Sequence, residues 1–131
     1  VLHQFIKNSI QQFGLIKSAE LCRQIIASTV IEQMPAKKLL KKLSKFTRFI
    51  KDQDLEGNLV ASCLSIALYN HLMLCLNNVH SSLNIGVFLT NNNNVISHAW
   101  VDVNGHLINT ENLDYKVILQ INLLEEQWII S

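Results

Sequence analysis

Proline, glycine and charge are all scarce in this chain of 131 residues. One proline and four glycines are too few for an all-β sandwich, which needs a turn roughly every 8–12 residues. Only 16% of the residues are charged and 49% are hydrophobic, so the chain can bury a core and is not intrinsically disordered. At this length we expect one domain over residues 1–131, with a helical half at 1–56 and a central helix plus sheet at 57–131.

The charges are nearly balanced but unevenly placed. Eleven basic and ten acidic residues give a net charge of +1, so there is no overall field that would attract nucleic acid, and we expect no nucleic-acid partner. No charged residue lies between Glu56 and Asp102. Asparagine and histidine interrupt this segment before 18 apolar residues accumulate, so it predicts a buried core and not a membrane span.

The cysteines are few and do not pair by spacing. Cys22, Cys63 and Cys75 are odd in number and lack the CxxC pattern of zinc sites and redox pairs. The histidines show no metal-ligand spacing either, so we expect neither a metal nor a cofactor. With no secretory signal recognisable, the prediction is a cytoplasmic protein with free thiols.

Apolar residues at helical spacing predict a helical first half. The first helix covers residues 1–13 and ends near Gly14. Ser18 is the expected N-cap of a second helix, which runs toward Met34 with Val30 and Ile31 on its apolar side.

The next two helices have opposite characters. Pro35 is expected to end the second helix and to occupy the first turn of the third. The third helix has an apolar stripe and a lysine-rich remainder, which is either a solvated face or a dock for an acidic partner or anionic lipid. A polar loop follows at residues 52–58. The fourth helix, from about Ala61 to Leu76, is apolar on every side, which predicts a central and buried position.

The second half of the chain predicts a small antiparallel sheet. Residues 83–89 and 95–103 are strand-like and flank the polar turn at residues 91–94. Asn104 and Gly105 predict a hairpin turn into a third strand at residues 106–110. The tail from Tyr115 to Ile130 is apolar and is ambiguous between strand and helix. Helices followed by a sheet predict the α+β class.

Cys63 and His98 stand out by their placement. Cys63 is predicted at the N-terminus of the central helix, where the helix dipole favours a thiolate and a free backbone N–H could bind an oxyanion. His98 lies in a later, uncharged strand that could present its imidazole to the thiol as a base. Each residue is also of a type often found in plain core, so the catalytic and structural interpretations both stay open.

Other candidates are weaker. Cys75 is about 120° from Cys63 around the helix, and both Cys75 and Cys22 are expected in the core. Trp100 shares a strand face with His98 and is expected either to wall an active site or to fill core.

Several short motifs resemble a known family. They are CLSIALY at residues 63–69, IGV at 85–87, HAWVDVNG at 98–105 and IN at 108–109. In this order they resemble the transglutaminase-like cysteine peptidases of lasso-peptide biosynthesis, the B-protein leader peptidases of the microcin J-processing type, in their stand-alone form. The match covers about residues 60–111. The resemblance implies a papain/transglutaminase-like α+β core in a bacterial protein that matures a ribosomally made peptide.

The resemblance also implies an activity and partners. Cys63 would be the nucleophile and His98 the base of a leader peptidase. Its partners would be a precursor peptide, a leader-recognition protein and an ATP-dependent macrocyclase, with no membrane involved. Two other classes remain open: an acyltransferase that uses the same Cys–His pair, and a non-catalytic scaffold that presents the precursor.

The third catalytic residue departs from the family pattern. The family places an Asp after Ile-Asn, where this chain has Thr110 and then Glu111. If a two-residue loop joins the strands, Val103 pairs with His106 and His98 falls opposite Glu111. If a three-residue loop with a glycine bulge joins them, His98 falls opposite Thr110. Both remain candidates, and Glu111 is the working choice because it carries a charge.

Overall fold

The computed structural model describes residues 2–53, 59–103, 106–108, 115–125 and 128–130. In these residues four helices precede a five-stranded sheet with the order β3-β2-β1-β4-β5, in which all neighbouring strands are antiparallel. The elements are α1 (Leu2–Phe13), α2 (Leu15–Ser28), α3 (Ala36–Gln53), α4 (Leu59–Leu76), β1 (Ser81–Leu89), β2 (Val95–Val103), β3 (His106–Ile108), β4 (Lys116–Ile121) and β5 (Ile129–Ile130). The predicted α+β class is confirmed.

The corner between α1 and α2 depends on a glycine. Gly14 has a φ of 84°, a backbone conformation that glycine adopts at little cost, and its N–H donates to the Ile10 carbonyl at 2.9 Å. The prediction that Ser18 caps α2 is wrong, because α2 begins at Leu15. Ser18 instead lies in the first turn, where its hydroxyl donates to the Gly14 carbonyl at 2.7 Å.

The end of α2 also differs from the prediction. The helix ends at Ser28, and Thr29 is extended with φ −117° and ψ 131°. Val30 is 99% exposed, so it does not belong to an apolar helix face. Thr29, Val30 and Ile31 are β-branched in succession, which restricts their χ1 angles and lowers helix propensity. Pro35 lies one residue before α3, and its carbonyl accepts the N–H of Leu39 at 3.0 Å.

The strands match the prediction closely where the structure describes them. β1 and β2 pair from Ser81↔Val103 to Leu89↔Val95, and Thr90 and Asn94 close the turn between them at 2.8 Å. β3 covers residues 106–108, while residues 109 and 110 of the predicted strand, the Asn104-Gly105 turn and residues 54–58 of the predicted loop lie outside the described residues. The ambiguous tail contains two strands, β4 and β5.

Helix α4 is the centre of the molecule, as its composition predicts. One side packs against α1, α2 and α3, and the other packs against β1 and β2. Leu68, Leu72 and Leu74 are completely buried. They share one hydrophobic core with Leu83, Val101 and Ile121 of the sheet. Of the helices in the described part of the chain, none is long and apolar enough to cross a membrane.

Candidate active site

The three cysteines differ in exposure. Cys22 and Cys75 are each 1% exposed, so their predicted place in the core is confirmed. Cys63 is partly exposed. Because a thiol must meet its substrate to act as a nucleophile, Cys63 is the one cysteine of the three whose position suits that role.

Cys63 does not lie at the start of its helix. Helix α4 begins at Leu59, two residues earlier than predicted, so Cys63 is its fifth residue. In a regular α-helix the fifth N–H donates to the first carbonyl, so the Cys63 N–H is not available as an oxyanion donor. The helix dipole also weakens beyond the first turn, which reduces its stabilisation of a thiolate there.

The side of α4 that carries Cys63 faces the sheet. Cys63, Ala67 and His71 follow one another at intervals of four residues and share one side of the helix. His71 lies 2.8 Å from the Ser81 hydroxyl of β1, so this side is the one that contacts the sheet.

Cys63 and the strand position paired with His98 lie at similar distances from the connection between α4 and β1. A four-residue connection joins α4 to β1, so β1 runs back along the helix. Cys63 is about 20 Å from the end of α4 by helical rise, and Gly86 is about 17 Å from the start of β1 by strand rise. Gly86 pairs with His98. The prediction that a strand carrying His98 packs against α4 therefore agrees with the structure.

The imidazole of His98 lies on the other face of the sheet. Residues alternate along β2 without a register shift, and Ala99 and Val101 belong to the core under α4. His98 therefore shares the outer face with Trp100. The His98 ring centroid lies 6.0 Å from Trp100 at 20° and 5.5 Å from Tyr115 at 35°. The pairing of this imidazole with the Cys63 thiol stays a prediction.

The absence of a side chain at Gly86 allows Trp100 and Tyr115 to pack closely against the sheet. A Cβ at Gly86 would lie 2.7 Å from Cη2 of Trp100 and 2.9 Å from Cβ of Tyr115, closer than carbon atoms normally approach. Trp100 thus packs over Gly86 and beside His98 and is 8% exposed. It is buried outside the core cluster beneath α4, and the choice between a wall around His98 and core filling stays open.

The register between β2 and β3 bears on which candidate for the third catalytic residue would lie opposite His98. Val103 pairs with His106, and Asp102 pairs with Leu107. This is the two-residue-loop register, and the alternative with a glycine bulge is wrong for these pairs. Both candidates, Glu111 and Thr110, lie outside the described residues.

Sequence reasoning missed a buried histidine cluster around His71. The N–H of Leu123 donates to Nε2 of His71 at 3.0 Å, so the neutral ring carries its proton on Nδ1 and donates to Ser81 Oγ at 2.8 Å. Cys75 Sγ lies 3.6 Å from Nδ1. His71 is completely buried. The four-residue spacing of His71 and Cys75 indicates that they share one side of the helix. It does not indicate their partners, which are Ser81 in β1 and Leu123 after β4.

Burial makes this second cysteine–histidine pair unreactive. It lowers the pKa of His71 to about 4 and raises the pKa of the Cys75 thiol to about 11. Burial, together with repulsion from Cys75, raises the pKa of Cys22 to about 12. At neutral pH both thiols are protonated and the imidazole is neutral, so the cluster serves packing and hydrogen bonding.

Comparison with known proteins identifies the family but no individual relative. The model of the transglutaminase-like superfamily matches residues 25–120, nearly three quarters of the chain. No curated protein and no solved structure matches the sequence. The matched segment runs from α2 to β4 and includes both Cys63 and His98. The chain belongs to the transglutaminase-like superfamily.

Proposed function

We propose that this domain is a cysteine-dependent acyl-transfer enzyme with Cys63 as its nucleophile. The observation that carries the proposal is the exposure of Cys63, beside two buried cysteines, in a domain of a superfamily that includes cysteine peptidases and acyltransferases. The packing of α4, which carries Cys63, against β2, which carries His98, adds support.

The proposed reaction is peptide hydrolysis in two steps. The Cys63 thiol gives its proton to the His98 imidazole, and the resulting thiolate attacks the scissile carbonyl. The imidazolium then protonates the leaving amine as the C–N bond breaks and a thioester forms. Water then attacks the thioester and gives a proton to His98, and the imidazolium returns that proton to the leaving Cys63 sulfur as the acid product is released. Glu111 or Thr110 would orient the imidazole.

We further propose that the substrate is the leader-bearing precursor of a ribosomally made lasso peptide. The support is the order of the motifs at residues 63–69, 85–87 and 98–109. The partners would be a leader-recognition protein, which presents the precursor, and an ATP-dependent macrocyclase, which uses the amine freed by cleavage. The reaction would take place in the cytoplasm of a bacterium.

The test is a cleavage assay followed by mass spectrometry. The protein is mixed with the precursor peptide and the recognition protein that are encoded beside it. We expect cleavage by the unaltered protein, none by Cys63→Ala, and retained cleavage by Cys22→Ala and Cys75→Ala wherever these variants remain folded. Cleavage that survives Cys63→Ala and is lost in Cys75→Ala would overturn the assignment.

A second candidate function is a scaffold that presents the precursor without cutting it. The position of His98 on the outer face of the sheet, away from α4, favours this candidate. In that case Cys63→Ala would bind the precursor as tightly as the unaltered protein, and no thioester would be trapped by either.

A further inference from the structure

Helix α3 presents a strongly basic surface. Six basic side chains between Ala36 and Arg48 are exposed, and we refer to them as the basic face of α3: Lys37, Lys38, Lys41, Lys42, Lys45 and Arg48. No acidic residue occurs between residues 36 and 50. Six of the eleven basic residues of the chain thus lie on one short surface.

The opposite side of α3 fixes this face toward solvent. Leu39 and Leu43 are 5% and 3% exposed and belong to the core. The hydroxyl of Thr47 accepts a hydrogen bond from the Asn70 amide of α4 at 3.1 Å. The helix therefore cannot roll to bury its lysines, and the basic face of α3 is a fixed feature of the fold.

The positive charges on the basic face of α3 repel one another. Lys37 and Lys41, Lys38 and Lys42, and Lys41 and Lys45 are like-charge neighbours at i,i+4, and each such pair destabilises a helix. The carboxylates whose side chains the structure describes all lie outside α3, and Glu20 among them pairs with Arg23 at 3.6 Å. A bound polyanion would relieve this repulsion, and the relief would contribute to its affinity.

The chemistry of the partner follows from the size and surroundings of the face. From Lys37 to Arg48 it spans about 17 Å by helical rise, which corresponds to about five residues of extended peptide. Elsewhere the chain holds five basic and ten acidic residues, so a long polyanion such as nucleic acid would be repelled beyond the face. A membrane-binding helix inserts its apolar side, whereas α3 buries that side in the core.

We propose that the basic face of α3 docks a short acidic peptide segment, rich in Asp or Glu, on a partner of this protein. The contact is electrostatic, with the carboxylates of the peptide beside the basic side chains of this face. The inference does not depend on catalysis by Cys63, and a non-catalytic domain would dock the same segment.

The test uses a fluorescein-labelled hexaglutamate peptide as the probe, with binding followed by fluorescence anisotropy. We expect saturable binding at low salt that weakens as salt is added. The variant Lys37→Gln/Lys41→Gln/Lys45→Gln should bind roughly tenfold more weakly. The matched control Lys7→Gln/Lys17→Gln/Lys116→Gln removes the same net charge elsewhere and should change affinity by less than about twofold.

Thermal unfolding and two further probes complete the test. The α3 variant should melt a few degrees higher than the unaltered protein, because it loses like-charge pairs, which also shows that it is folded. Equal losses in the two triple variants would overturn the proposal, and so would the absence of binding at low salt. Tighter binding to phosphatidylserine vesicles or to single-stranded DNA than to hexaglutamate would overturn it in favour of a membrane or a nucleic acid.

Discussion

The chain carries two cysteine–histidine regions, both of which involve α4, and they differ in nearly every physical respect. Cys75 and His71 are in contact at 3.6 Å, are almost completely buried and link the helix to the sheet. Cys63 and His98 are both partly exposed. Cys63 lies on the side of α4 that faces the sheet, whereas His98 lies on the outer face of the sheet.

The comparison shows that proximity of a thiol and an imidazole does not make a nucleophile. At His71 burial disfavours both the imidazolium and the thiolate, so a proton transfer between them would leave an ion pair in an apolar core. A reactive thiol needs solvent access, and Cys63 is partly exposed. The buried contact between Cys75 and His71 is thus structural, and the partly exposed Cys63 is the candidate nucleophile.

The largest expected effect lies in the buried region. His71→Ala should lower the free energy of unfolding by about 4 kcal/mol, because it leaves a cavity and strands the Leu123 N–H and the Ser81 hydroxyl without a partner. Ser81→Ala removes one hydrogen bond and should cost about 1 kcal/mol. Urea denaturation measures both values. If both variants lost only a small and equal free energy of unfolding, the structural role assigned to His71 would be contradicted.

The pH dependence of stability should be the next largest effect. The folded pKa of His71, about 4, lies below the ordinary value of 6.5, so the unfolded chain binds the proton more tightly. The stability from neutral His71 is fully present above pH 6.5 and is lost as the pH falls toward 4, by about 3 kcal/mol in all.

His71→Asn provides the control for that measurement. It should remove most of the slope between pH 6.5 and 4 in urea denaturation. Burial, with repulsion from Lys7 and the N-terminus, also lowers the pKa of His3, so a smaller slope of the same sign should remain. An unchanged slope in His71→Asn would contradict the assignment of the acid sensitivity to His71.

Local patterns predicted most of the fold. The all-round apolar composition of residues 61–76 indicated the central helix, and alternation around the polar turn at 91–94 indicated the β1–β2 hairpin. The end of α2 was missed because apolar periodicity through Val30 and Ile31 continued past the point where successive β-branched residues end the helix.

The site was less predictable, because its contacts are long-range. The hydrogen bonds of His71 join residues 10 and 52 positions apart, and no spacing rule anticipates them. Tyr115 contacts the His98 ring because it directly precedes β4, which pairs with β1. Cys63 was placed too near the helix start because residues 59 and 60 carry no strong capping signal.

The rate at which Cys63 is alkylated shows directly whether this thiol is an activated nucleophile. The folded protein is treated with iodoacetamide from pH 6 to 9, and each cysteine is followed by peptide mass spectrometry, with His98→Ala as the matched variant. We expect Cys63 to react more than about 100-fold faster than Cys22 and Cys75 at neutral pH, and His98→Ala to slow that reaction about tenfold. Alkylation of Cys63 at the same rate in His98→Ala, or of Cys75 as fast as Cys63, would contradict this expectation.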